Sequence, residues 1–371
     1  MRGTRARLGW NRREFLAAGS IATLASQAGW LGAASLPIGR MAYVSVIGAS
    51  AAVHVYAIAG DDWLLRQTVA ADAPVALALH PNGGTLYVLH EVASYGSLPC
   101  GFLSSYRVSA EGGALVQIGE AALALSAVMP RQMAVAPDGR QLVVAVGGGG
   151  AYNAVAIDDD GVAGRVSGIV KEIGCGPIAE QQDASHPQAV VFDGTGNRVI
   201  GADLGCDRLR VLALGKALQM HSVYTSAAGG GPEHLAMHPL GHLVYVSHAL
   251  NGTLQGLRYD GHSGSLMEQV TQVECGRLYA MMMHPAGEFL YGADSAEITV
   301  WKIDGDTGAL QAVQRVACAD VQALCVSGGA MLAVGSDGVR QLKMRVDGRL
   351  EEASWKVRLN GAARIVVRDA V

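Results

Sequence analysis

The chain has 371 residues, half of them hydrophobic, with 16% charged and 5% aromatic, a composition that excludes whole-chain disorder. Its 49 glycines, about twice the usual share, accompany only 11 prolines and follow no Gly-X-Y period, which excludes collagen and indicates a turn-rich β protein. Five of the 28 basic residues but one of the 32 acids fall in residues 1–34, so the body is more acidic than the overall charge of −4, which argues against a general nucleic-acid binder, since neutralising phosphates needs a basic face.

The run Asn11-Arg12-Arg13-Glu14-Phe15-Leu16, followed by the apolar stretch Ala17 to Ala34, resembles a twin-arginine export signal. The arginines hold the amino-terminal region on the cytoplasmic side, and Gly32, Ala33 and Ala34 suit a signal peptidase. An uncleaved anchor is the alternative, weakened by Gly19, Ser20, Ser26, Gln27 and Gly29. The resemblance implies a signal peptide over residues 1–34, a mature domain over 35–371, the twin-arginine machinery as a partner, a periplasmic or extracellular location and no stable membrane span after cleavage. The six cysteines, even in number, would be free to form disulfides in an oxidising compartment; they show no CxxC pair or zinc-ligand spacing, and several sit in apolar strand-like runs that read as sites of buried free thiols.

The body repeats. Each unit is an apolar run, a His-Pro or Pro-Asp-Gly turn, and a second apolar run. Copies are Ala76–Val88 with His80-Pro81, Met133–Val144 with Pro137-Asp138-Gly139, Ala189–Ile200, Leu235–Val246 with His238-Pro239, Met281–Tyr291 with His284-Pro285, and a degenerate copy from Leu324 to Val334. Spacings of roughly 43 to 57 residues fit four-stranded propeller blades. Six inner hairpins leave three strands at the start, Ala42–Ile47, Val53–Ile58 and Leu64–Val69, and a lone strand at the end, Ala363–Val367. The last strand completes the first blade. The predicted fold is therefore all-β, a seven-bladed β-propeller closed by pairing of its terminal strands, which removes the free sheet edges.

Antiparallel register sorts the polar residues. The start of each innermost strand and the end of the second share one rim, and the turn between them lies on the other. His80, His238 and His284 recur at that turn and read as turn chemistry. The opposite rim collects residues that differ from blade to blade: Arg131, Gln132, His186, Gln188, Glu233, His234 and Tyr279, with His90, Glu91, Asp203, His248 and Asp294. Imidazoles and carboxylates there can supply acid–base groups, and a solvated loop rim is the plainer reading.

Ser185-His186-Pro187-Gln188-Ala189-Val190-Val191-Phe192, Gly201-Ala202-Asp203-Leu204-Gly205-Cys206-Asp207-Arg208, Gly231-Pro232-Glu233-His234 and His90-Glu91-Val92 resemble the seven-bladed lactonase family, which includes bacterial 6-phosphogluconolactonases and fungal muconate-lactonizing enzymes. The likeness covers roughly residues 41 to 367. It implies hydrolysis of a small lactone or ester without a cofactor or metal. His186, Glu91 and His234 are then the expected catalytic groups, with Gln188, Asp203, Glu233, His248 and Asp294 expected to bind substrate. The chain departs from the family pattern: Gln188 replaces the second histidine of His-Pro-His, Glu233 replaces an arginine, His248 stands where a carboxylate is usual, and Asp294 replaces another arginine. Loss of two cations leads to the expectation that phosphorylated or tricarboxylate lactones are poor substrates. The alternative is a non-catalytic propeller that binds a small ligand or protein at the channel mouth.

Overall fold

A computed structural model describes residues 39–369; the twin-arginine segment and the expected cleavage boundary lie outside them. Strands are numbered along the chain from β1 (Arg40–Val46) to β28 (Ala362–Asp369), and they form seven four-stranded antiparallel sheets. Six blades are built of consecutive strands. Their innermost members are β4 (Pro74–Leu79), β8 (Pro130–Val135), β12 (Pro187–Phe192), β16 (Pro232–Met237), β20 (Ala280–Met283) and β24 (Val321–Ser327). The first blade takes its innermost strand from the other end of the chain, with β28 paired to β1 from Arg40 opposite Asp369 to Val46 opposite Ala362. The expected seven blades and terminal closure are both present.

Burial explains the strand sequences. The second strands, such as β5 (Thr85–His90) and β17 (Leu243–His248), are buried at every position because both of their faces meet neighbouring blades. They are accordingly near-continuous apolar runs. The outermost strands alternate, as in Leu218–Thr225, where solvent takes one face. The core lies between blades: Tyr87 and Leu89 of one blade pack with Leu142, Val144 and Val155 of the next.

Two repeated polar contacts fasten blade to blade. Tyr43, Tyr87, Tyr245 and Tyr291, all fully buried, donate their hydroxyls to the carbonyls of Gly113, Gly161, Gly308 and Gly348 in the outer hairpin of the following blade, at 2.9 to 3.0 Å. At the lower turns, the Nδ1 of His80, His238 and His284 accepts the backbone N–H two residues on, at 3.1 to 3.2 Å. That fixes the tautomer of His80 and His238, whose Nε2–H then donates to the Gly139 and Gly287 carbonyls of the next blade at 3.1 Å. Gly287 has φ 79°, and a Cβ there would strike the His238 ring. His238→Ala is expected to lower stability by about 1–2 kcal/mol by leaving that carbonyl unpaired; urea unfolding of the two proteins checks this.

A local irregularity matters for function. In every inner hairpin except that of β20 with β21 (Phe289–Ala293), the innermost strand carries a bulge just after its first residue, between Pro130 and Gln132, Pro187 and Ala189, or Pro232 and His234. The bulge breaks strict alternation, so two successive side chains turn toward the channel. Arg131 with Gln132 and Glu233 with His234 are such pairs.

Candidate functional site

Strand register puts Pro187 opposite Asp203, Pro232 opposite His248 and Pro74 opposite His90, so these residues share the upper rim. His80, His238 and His284 lie in the turns of the lower rim. The innermost strands enclose a central channel of about 740 Å³, whose polar lining includes Glu91, Arg131, Gln188, Glu233, His234 and Arg364. A side chamber of about 370 Å³ opens beside it, walled by His186, Gln181, Arg277, Gly147 and Leu250, and it shares Arg131 and Gln188 with the channel.

The Asp203–Asp207 segment is the scaffold of this rim. Asp203 caps a single 3-10 turn, Leu204–Cys206, and its buried carboxylate accepts hydrogen bonds from Gly205 N at 3.1 Å, His186 N at 2.8 Å and Ser185 Oγ at 2.6 Å. Asp207, in the left-handed region at φ 54°, accepts from Gly229 N, Gly231 N and Gln182 Nε2 at 2.7 to 2.8 Å. Two carboxylates thus pin both loops that carry the functional side chains: the one before His186 and the one before Glu233. Arg210 supports Asp203 from beneath and is ion-paired to Glu172 at 2.7 Å, with both side chains buried.

The two rim histidines have opposite environments. His186 Nδ1 hydrogen-bonds the Gly147 carbonyl at 3.0 Å, and Nε2 meets Asp183 Oδ1 at 2.7 Å. Both nitrogens therefore donate, which is the imidazolium arrangement. Burial pushes its pKa down, but the Gly147 carbonyl and the carboxylates of Asp183 and Asp203 outweigh it and hold it above 6.5. His234 is the reverse case. Burial in the channel wall pushes its pKa below 6.5; Glu233 opposes the shift, and the cations Arg364 and Arg277 reinforce it. Its ring remains 28% exposed to the channel.

The remaining expected site residues divide. Glu91 is in the channel but ion-paired to Arg131, and Glu233 is bonded to Arg277 Nη2 at 2.7 Å. Gln188 donates to the His186 carbonyl at 3.0 Å and borders both chambers. Three residues depart from expectation. Asp203 is fully buried, with its oxygens engaged by the loop it pins, so it supports the site without lining it. Asp294 caps a tight turn, accepting from Ala296 N and Glu297 N, and faces a separate recess beside Cys275 and Trp301. His248 is 3% exposed and lines neither chamber, and neither ring nitrogen has a hydrogen-bond partner. Sequence reasoning missed Arg277, Asp183 and Arg364. All six thiols are free, and only Cys175 is exposed.

Burial lowers the His248 pKa to about 4, against the pull of Asp207, so the folded ring is neutral. On acidification the unfolded chain takes up the proton first, near 6.5. Stability fully present above that value is therefore lost as pH falls toward 4, by up to ~3 kcal/mol. His248→Leu is expected to flatten that part of the stability–pH curve, measured by urea unfolding at pH 7 and pH 4.5.

The profile of the lactonase, seven-bladed β-propeller family matches residues 41–322. The chain belongs to that family. Among lactonase relatives, the 6-phosphogluconolactonase of Pectobacterium atrosepticum is 29% identical over 273 residues, covering 70% of this chain and 76% of that one. The 6-phosphogluconolactonase of Bacillus subtilis is 24% identical over 253 residues, 66% and 70% of the two chains. The periplasmic gluconolactonase of Pseudomonas aeruginosa superposes with a TM-score of 0.79 over 90% of this chain and 99% of that one at 21% identity, a likeness of fold. The lactonase profile stops at residue 322, short of β28 and Arg364.

Proposed function

We propose that the protein hydrolyses a small sugar-type lactone at the upper mouth of the channel, using His234 as general base and His186 as general acid. The observation that carries this reading is the opposed tuning of two histidines on adjacent blades of the upper rim, His234 in the channel and His186 in the side chamber that shares Arg131 and Gln188 with it, the pattern by which a site holds a base and an acid at the same pH. Neutral His234 takes a proton from water as the water oxygen bonds to the lactone carbonyl carbon. The tetrahedral intermediate then expels the ring oxygen, which receives the Nε2 proton of His186 as the carbon–oxygen bond breaks, that N–H turning from the exposed Asp183 carboxylate to the leaving oxygen. The product is a hydroxy acid that releases one net proton near neutral pH. Arg131, held by Glu91, and Gln188 border both chambers and are placed to orient substrate hydroxyls.

The charge argument against anionic substrates loses its two supports. Arg277 neutralises Glu233, and Asp294 lies outside the chambers. A phosphorylated lactone therefore belongs beside the neutral ones as a substrate to be tested. A pH-stat assay of purified protein with gluconolactone and 6-phosphogluconolactone is the test, with proton release well above the spontaneous rate expected for at least one. Binding of the matching hydroxy acids with no turnover of either lactone would favour the non-catalytic reading instead.

We further propose export through the twin-arginine route, motivated by Arg12-Arg13-Glu14-Phe15-Leu16. An exported product starting near residue 35, lost on Arg12→Lys with Arg13→Lys, is the expected result; retention of the uncleaved chain in wild-type cells would contradict it.

A further inference from the structure

Arg364 stands apart from the other cations of the site. Arg131 and Arg277 each hold a carboxylate, whereas Arg364 is in ion-pair contact with no carboxylate among the described residues. It lines the channel, and Nη1 donates to the Gln322 carbonyl at 3.0 Å and the Ala363 carbonyl at 2.9 Å. Those two bonds spend both Nη1 protons and clamp the guanidinium plane against the neighbouring blade. The donors on Nε and Nη2 have no protein partner among the described residues. The guanidinium is half-buried, and the one carboxylate that acts on it, Glu91, is already held by Arg131, so its unused donors are left for a negatively charged group in the channel.

Register supplies the second observation. Arg364 pairs with Ser45 one step after Ala362 pairs with Val46, and His234 pairs with Ser247 one step after Pro232 pairs with His248. Arg364 and His234 therefore occupy the same level of the channel. They stand on the first and fifth blades, on opposite sides of a seven-membered ring. A lactone between them would present one face of its carbonyl carbon to the base and its carbonyl oxygen to the guanidinium.

We propose that Arg364 binds the oxyanion. Its free N–H donors receive the carbonyl oxygen as the electron pair of the C=O bond moves onto it, and afterwards hold the carboxylate of the product. This rests on the lactonase reading given above. A neutral lactone carries no full charge for Arg364 to grip, while the tetrahedral intermediate and the product do, so the interaction strengthens along the reaction and acts on kcat. Arginine rather than lysine suits the position because the clamped planar fork needs no reorganisation.

The test uses the full chain and a neutral probe, gluconolactone, so that a substrate phosphate cannot contribute. Arg364→Gln is expected to lower kcat by ~10²–10³-fold with KM within about twofold, and to weaken binding of gluconate, measured by calorimetry, at least tenfold. Guanidinium ion added to Arg364→Ala should restore part of the turnover, a response that lost packing alone would not give. If Arg364→Gln does not fold, Arg364→Lys and the rescue of Arg364→Ala carry the test. Unchanged kcat in a folded Arg364→Gln, or a rise in KM alone, would overturn the proposal. The two readings fail separately: a wild-type protein that turns over no lactone yet binds gluconate through Arg364 sinks the lactonase reading and leaves the anion site standing. Turnover and gluconate binding that are both indifferent to Arg364 sink the anion site alone.

Discussion

His234→Gln is expected to lower kcat for lactone hydrolysis by ~10²–10⁴-fold, the usual worth of a positioned general base. Glutamine keeps much of the shape and can still hydrogen-bond, so the loss would report proton transfer. The accompanying pH profile is more telling. His234 must be neutral to act, and its lowered pKa keeps it so below 6.5; activity should fall only as pH drops through that lowered value. His186 must be protonated, and its raised pKa keeps it so above 6.5; activity should fall as pH rises through that raised value. The result is a bell whose limbs straddle the ordinary histidine pKa. His234→Gln should remove the acid limb, and Asp183→Asn should draw the alkaline limb down toward 6.5. A single limb centred on 6.5, unmoved by either substitution, would mean that these histidines do not divide the work.

Ending the chain after Gly361 is expected to abolish the folded monomer. That truncation removes β28, exposes the edge of β1 and strips the channel wall of Ala362, Ala363 and Ile365, which are buried in the intact protein. Burying apolar area contributes about 25 cal/mol per Å², and the whole stability of a domain is only about 5–15 kcal/mol, so one blade stripped of its innermost strand is enough to unfold the ring. Size-exclusion chromatography and near-ultraviolet circular dichroism of the shortened chain check this. A sharp monomer peak with a native spectrum would show that six complete blades hold without the seventh.

The propeller was legible because its signal is repetition. His80-Pro81, His238-Pro239 and His284-Pro285 mark equivalent turns, and the histidine acts there through backbone contacts that any sequence context permits. The lone strand around Arg364-Ile365 could be placed because an unpaired first blade demanded a partner. The site was legible only by rim. Period-two alternation assigns one channel-facing residue in each pair, and the bulges after Pro130 and Pro232 turn both toward the lumen. Asp294 was placed by analogy with other blades, but the hairpin of β20 and β21 lacks the bulge, and the tight turn that follows β21 takes the Asp294 carboxylate. The electrostatic balance was the least legible part. Arg277 reaches Glu233 from 44 residues further along the chain, and motif positions record which cation is lost without recording which one replaces it.

The junction of β1 with β28 also sets an order of events for a growing chain. Their hydrogen bonds join the first and last described strands, so until β28 leaves the ribosome the first blade has three strands and a bare inner edge. The six consecutive blades can each form as synthesis proceeds, because every strand pairing in them lies within the blade itself. Closure is the longest-range step and comes last. During that interval the nascent arc presents an unpaired strand edge, the kind of surface that recruits other chains. Fusing the ends through a short linker and opening the chain at an outer turn such as Asp158–Gly161 would move the seam without altering the ring. Such a permutant is expected to reach the same native state while exposing a different blade as the late one, and the aggregation of its folding intermediates would shift with it.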